Sequence, residues 1–177
     1  MIQLEKPRGF WDYIRLWRLY MQAFPADERK PWRMIRKKAR EGITDMWCLR
    51  RDGAFAGLAF TINSADVILL DYFAVCAKLR GCGVGSGALA ALLARYAGKG
   101  FFVEIESTFV NAPDQAMRLR RKDFYMRSGL QPFGVEMKLF CVDMELLGTG
   151  CKLDFDGYRR FHYANYGQWV YKHITPK

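Results

Sequence analysis

Four glycines alternate over seven residues, Gly81, Gly83, Gly85 and Gly87, between the apolar stretch of residues 69–75 and a second apolar run at residues 88–97. That layout suits an anion cradle. A strand delivers the backbone to a glycine loop, and the helix that follows turns its free N–H groups and the positive end of its dipole toward the loop. Glycine lets a phosphate come close to those amides, and no charged side chain is required. Lys78 and Arg80 sit just ahead of the glycines and add positive charge.

The flanking elements follow from hydrophobic period. Phe10, Tyr13, Ile14, Trp17, Tyr20, Met21 and Phe24 recur every three or four residues, which predicts an amphipathic helix over residues 10–24 with Arg15 and Arg18 on its outer face. Pro25 ends it, and Pro31 opens a second helix to about residue 40 that carries Arg33, Arg36, Lys37, Lys38 and Arg40. From residue 46 the period is that of strands. Residues 46–50 and 54–63 read as a hairpin around Asp52-Gly53, and residues 67–75 as the next strand. Beyond the glycines come a strand at 101–107, a helix at 114–128 closed by Gly129, an antiparallel pair at 130–135 and 137–145, and a tail helix at 156–173.

At 177 residues, half of them apolar and 15% aromatic, the chain has enough material for one domain with a proper core. A net charge of +10 points to a nucleic acid, an anionic membrane or a polyanionic cofactor without choosing among them. The five cysteines, Cys48, Cys76, Cys82, Cys141 and Cys151, have no C-x-x-C spacing, so structural zinc and a disulfide framework are not expected. No run of 18 apolar residues and no signal-peptide pattern is present, which reads as a cytoplasmic protein with no membrane segment.

Three phosphate motifs compete for the glycines. A P-loop would need Gly-Lys-Ser/Thr, which is missing. Residues 85–90 fit the dinucleotide pattern G-x-G-x-x-A, with Glu104 or Glu106 about 20 residues on as the ribose-binding acid. Against it, residues 76–80 separate strand from loop, and the preceding strands are hairpin-linked rather than joined by βαβ crossovers. The third pattern is R-x-x-G-x-G, Arg80-Gly81-Cys82-Gly83-Val84-Gly85, five residues after Val75. Here the chain resembles the GNAT superfamily of acetyl-CoA-dependent N-acetyltransferases. Residues 121–130 add a second block, in which Phe124-Tyr125 and Gly129-Leu130 are similar to that superfamily's F-Y-x-x-x-G-F segment, with leucine where phenylalanine is commoner. The resemblance spans roughly residues 13–144.

The resemblance implies a mixed α/β (α+β) fold whose mainly antiparallel central sheet has about six to seven strands, with helices on both faces. It implies one acetyltransferase domain over residues 1–177, with a CoA-binding core at about 46–144 and a helical extension at about 156–173. It also implies acetyl-CoA as co-substrate and no metal. The pyrophosphate would lie against the amides of Arg80, Gly81, Cys82, Gly83, Val84 and Gly85, with Ser86 capping the helix. The pantetheine arm would run along Phe73, Ala74 and Val75, and the Val75 N–H would bind the thioester carbonyl. Tyr125 would protonate the departing thiolate. Asp71, on the same strand face as Val75, is a candidate base, as are Glu104 and Glu106; each equally fits an ion pair with Arg118, Arg120 or Arg121. Asp27 and Glu28 fall where the superfamily builds its acceptor site. His162 and His173 are read as structural or exposed.

The expected activity is transfer of an acetyl group to a primary amine of a small molecule or peptide, with a homodimer within reach and nucleic acid not expected. Two other readings stay open, a basic nucleic-acid-binding module using residues 33–40 and 118–122, and a CoA-binding protein without turnover.

Overall fold

The computed structural model describes residues 1–26 and 28–177, which divide into two compact units. The first comprises residues 1–63 and 70–97, the second residues 64–69 and 98–177.

In the first unit β1 (Ile2–Glu5), β2 (Thr44–Arg51) and β3 (Ala54–Asn63) pair antiparallel in sheet order, and β4 (Val67–Val75), divided between the units, borders β3. Asp52 and Gly53 both adopt positive φ, 51° and 79°, so the β2–β3 turn is the one Asp-Gly predicts. Helices α1 (Phe10–Ala23), α2 (Trp32–Arg40) and α3 (Val84–Arg95) complete the unit. Leu16, Leu19 and Tyr20 of α1 and Ile35 of α2 pack on Met46, Cys48, Leu58, Phe60, Tyr72 and Ala74 of the strands.

The face of α1 differs from expectation. Its buried residues are Asp12, Leu16, Leu19 and Tyr20, whereas Phe10, Trp11, Trp17 and Met21 are exposed. Both stripes have helical period, and the choice fell to the one whose acid has a partner inside. Asp12 accepts from the Arg8 N–H and from Arg50 Nη2 at 2.8 Å, while Arg50 also binds Glu5. Burial would raise the Asp12 carboxyl, but these donors hold it below its usual range.

In the second unit β5 (Gly100–Glu106), β7 (Val142–Thr149), β6 (Gln131–Leu139) and β8 (Ile174–Pro176) lie in that order, all antiparallel. Helices α4 (Gln115–Arg127), α5 (Phe155–Tyr166) and α6 (Gln168–Lys172) accompany them. Among the described residues the strands number eight rather than six to seven, because β1 and β8, of four and three residues, are too short to show a period. The β6–β7 turn is Phe140-Cys141, not the region of Glu136. Both residues have positive φ, 48° and 71°, without the Gly or Asn that would announce such a turn. The tail is not one helix; Gly167 at φ 75° separates α5 from α6.

Buried ionisable groups give the fold a pH signature. Burial raises the Tyr20 and Tyr96 hydroxyls above their ordinary value and pushes the Cys48 thiol up to about 12. A folded chain that keeps protons already released by the unfolded chain loses stability as pH rises. Tm is therefore expected to be level up to about pH 9 and to fall from there to about pH 12, at up to about 1.4 kcal/mol per group per pH unit. Thermal melts across that range check it, and a Tm that stayed level would mean these groups ionise freely in the fold.

Candidate functional site

The end of β4 is set by a close approach. A Cβ on Gly57 would overlap the Ala74 carbonyl oxygen and lie 3.2 Å from the Val75 Cα, so only glycine lets β3 and β4 meet there. The Cys76 N–H donates to the Ala56 carbonyl at 2.9 Å. By strand alternation the N–H and C=O of Val75 point off the opposite edge of β4. Arg80 Nε donates to that Val75 carbonyl at 3.2 Å and closes the segment between strand and glycines. A 3-10 turn, Ala77–Leu79, fills it and leaves Lys78 exposed.

Gly81 and Gly83 both have φ 76°, a left-handed conformation that costs a side-chain-bearing residue about 1–2 kcal/mol. Nothing lies within 4 Å of where either Cβ would be. The chain thus turns twice beside open space before α3 starts at Val84. Gly83 is the N-cap and supplies no side-chain bond. The N–H groups of Val84, Gly85 and Ser86 have no partner within the helix and so can serve an anion. Ser86 is the third residue of the helix rather than its cap. Cys82 is exposed, and its Sγ lies 3.7 Å from the Arg80 carbonyl oxygen. Phe73 is half-buried and Ala74 buried, their side chains on opposite faces of β4.

Asp71 is held more tightly than the sequence suggests. Lys30 Nζ donates to Asp71 Oδ1 at 2.6 Å, and neither side chain is more than 14% exposed. The backbone around Lys30 is clamped as well. The Tyr72 hydroxyl accepts from the Lys30 N–H at 3.0 Å and donates to the Glu28 carbonyl at 2.9 Å, and the Tyr20 hydroxyl donates to the Lys30 carbonyl. Tyr20, Phe24 and Tyr72 meet edge-on or tilted, with centroids 4.8–5.6 Å apart, so an aromatic cluster fixes the α1–α2 loop to β4. Glu28 is exposed on that loop; Asp27 lies outside the described residues. The pairing of Lys30 with Asp71 has no short-range signal in the sequence, because 41 residues intervene.

The second unit holds the remaining candidates. Tyr125 is buried at 8% exposure and packs edge-on against Phe124. Burial pushes its phenol up to about 12, with Arg121 pulling weakly the other way. Glu106 pairs with Arg121. Glu104 Oε1 accepts from the Tyr158 hydroxyl at 2.9 Å and lies 2.7 Å from His162 Nε2. The two carboxylates share a strand face but have separate partners. His162 is fully buried, as a structural histidine would be, and its pairing with Glu104 has no short-range signal in the sequence because 58 residues intervene. No group of three or more metal-ligating side chains occurs among the described residues, and none of their helices is long and apolar enough to cross a membrane.

The family model for the Acetyltransferase (GNAT) family matches residues 13–126, well over half of the chain. The chain belongs to the GNAT family. Its fold agrees. A protein from Bacteroides thetaiotaomicron assigned to the GNAT family superposes with a TM-score of 0.79 at 21% identity, over 95% of this chain and 99% of the other. Arabidopsis thaliana Naa50, solved with the bisubstrate analogue CoA-Ac-MVNAL, gives 0.63 at 14% identity over 85% and 99%. A GNAT acetyltransferase from Elizabethkingia anophelis with acetyl-CoA bound gives 0.60 at 13% over 84% and 95%. Comparison with curated proteins finds no match. This GNAT chain therefore has the mixed, mainly antiparallel architecture and the acyltransferase class of its family.

Proposed function

We propose that the protein moves the acetyl group of acetyl-CoA to a primary amine of a small molecule or peptide by direct attack. The observation that carries this is the left-handed pair Gly81 and Gly83 ahead of the α3 N-terminus, which exposes a run of amides to a pyrophosphate. Similar folds solved with CoA analogues or acetyl-CoA support the ligand. In this reading Arg80 and the amides of Gly81, Cys82, Gly83, Val84, Gly85 and Ser86 hold the phosphates. Phe73, Ala74 and Val75 guide the pantetheine arm, and the Val75 N–H stabilises charge developing on the thioester oxygen. The nucleic-acid alternative loses ground because much of its charge is used internally. Arg118, Arg121 and Lys122 pair with Asp114, Glu106 and Glu145, and Lys37 and Lys38 with Glu41.

Proton transfer divides between an acceptor and a donor. Asp71 and Glu106 each hold a cation, and Glu104 adjoins a phenol and an imidazole along which a proton taken there can be shared. We assign the amine's proton to Glu104 and keep Asp71 with Lys30 as the anchor of the acceptor loop, on which Asp27 and Glu28 meet the substrate. Tyr125, with a phenol that stays protonated at neutral pH, donates to the leaving thiolate.

The test is thiol release across a panel of amines, polyamines and peptides, with stabilisation by acetyl-CoA measured in parallel. Tyr125→Phe is expected to lower kcat about 100-fold while leaving acetyl-CoA stabilisation intact. Full turnover in that variant would remove Tyr125 from the reaction. Stabilisation without thiol release from any amine would favour a binding protein over an enzyme.

A further inference from the structure

Helix α1 is apolar on both sides. Its inner face carries Leu16, Leu19 and Tyr20 into the core, yet its outer face also follows a helical ridge, Phe10, Ile14, Trp17 and Met21, with Trp11 beside it. Phe10 is 71% exposed, Trp11 67%, and Trp17 and Met21 43% each. With aromatic side chains of roughly 200 Å² apiece, this leaves on the order of 500 Å² of contiguous apolar surface, at the upper end for a monomer. The two aromatic rings at the helix start contact each other edge-on, with centroids 5.6 Å apart.

Charge around the ridge has one sign. Arg15 and Arg18 flank it on one side, and on the other Arg36 of α2 lies 4.3 Å over the Tyr13 ring. The only carboxylate on α1, Asp12, is turned inward and bound by Arg50 and, at 3.4 Å, by the half-exposed Arg15, and α2 has none. Neither helix offers an outward acid, although together they carry seven arginines and lysines.

We propose that the outer face of α1 docks onto an anionic lipid surface. Tryptophan, phenylalanine and methionine on a convex ridge, fringed by arginines, match the pattern of a helix lying in the plane of a membrane interface, where the rings enter the headgroup boundary and the guanidinium groups meet lipid phosphates. A second copy of the chain suits this face less well. The exposed ridge falls short of the roughly 800 Å² per partner of a standard interface, and a two-fold contact would bring two arginine fringes together. A nucleic acid would engage the arginines but find no stacking partner in Ile14 or Met21. The sequence expectation of no membrane rested on the lack of a spanning segment, which says nothing of a helix that lies on the surface.

The experiment is co-sedimentation of the full chain with vesicles of phosphatidylcholine, with and without phosphatidylglycerol, together with tryptophan emission. Binding is expected to be about tenfold or more stronger with phosphatidylglycerol, to weaken with salt and to shift the emission to the blue. The double variant Trp11→Ser/Trp17→Ser should lose about tenfold or more in vesicle affinity, and Arg18→Gln roughly fivefold. Both should keep the parent Tm, since these side chains lie outside the core. Three results would overturn the proposal: a folded parent that ignores anionic vesicles, a concentration-dependent dimer that the tryptophan variant dissociates, or DNA binding in the absence of vesicle binding.

Discussion

Gly83→Val is expected to weaken acetyl-CoA binding by about 100-fold or more, from the loss of one or two amide–phosphate hydrogen bonds at about 1.5–3 kcal/mol each. Two effects combine. The left-handed φ of 76° at Gly83 is strained for any branched residue, so the turn must open and the first-turn amides of α3 lose their common direction. The new side chain would also stand in the space beside the loop, where nothing lies within 4 Å of the Cβ position. Because that space is open, Tm should fall by only a few degrees. Gly98→Val is the control. It sits at φ 86° with equally open surroundings and carries the same backbone strain at a position outside the glycine loop. The two variants should melt alike and differ only in stabilisation by acetyl-CoA. If Gly83→Val keeps the parent response, the glycine loop is not the phosphate site.

Gly57→Ala should be strongly destabilising for so small a replacement. A single methyl there meets backbone that cannot swing aside, the Ala74 carbonyl oxygen and the Val75 Cα at 3.2 Å, besides Leu49 Cδ1 at 3.0 Å. Either β3 and β4 separate at Ala56–Cys76, or the end of β4 rotates. Overpacking of this kind costs about 1–3 kcal/mol, which for a chain of this length lowers Tm by roughly 3–10 °C. Gly87→Ala is a useful contrast, because its Cβ would meet only the Ile2 side chain, at 2.9 Å from Cγ1, which can swing aside. We also expect Gly57→Ala to weaken acetyl-CoA binding, since the displaced segment carries Val75 and the carbonyl that anchors Arg80. A Tm within a degree of the parent would show that β4 is not pinned by this contact.

Elements long enough to express a period were legible from residues alone. The β2–β3 hairpin, β4, α3 and α4 fall where alternation and helical spacing put them, within a few residues. Short edge strands were not, nor was the Phe140-Cys141 turn, whose positive φ values are imposed by the pairing of Leu139 with Val142 rather than by residue type. In α1 the sequence offered two apolar stripes, and period cannot say which one a sheet will cover. Asp12 takes hydrogen bonds from the Arg8 N–H and from Arg50, which lie outside the helix and decided it.

For the site, the division is between ligand chemistry and proton chemistry. The R-x-x-G-x-G loop is a local device, since the positive φ of Gly81 and Gly83 and the start of α3 are encoded within a few residues, and the sequence by itself determined both the loop and the family it signals. Asp71, Glu104 and Glu106 were equivalent as letters. Only the tertiary structure gave one to Lys30, one to Tyr158 and His162, and one to Arg121, over separations of 41, 54, 58 and 15 residues. A backbone conformation is set by near neighbours, whereas what a carboxylate can do depends on which charges and hydroxyls the fold brings to it from a distance.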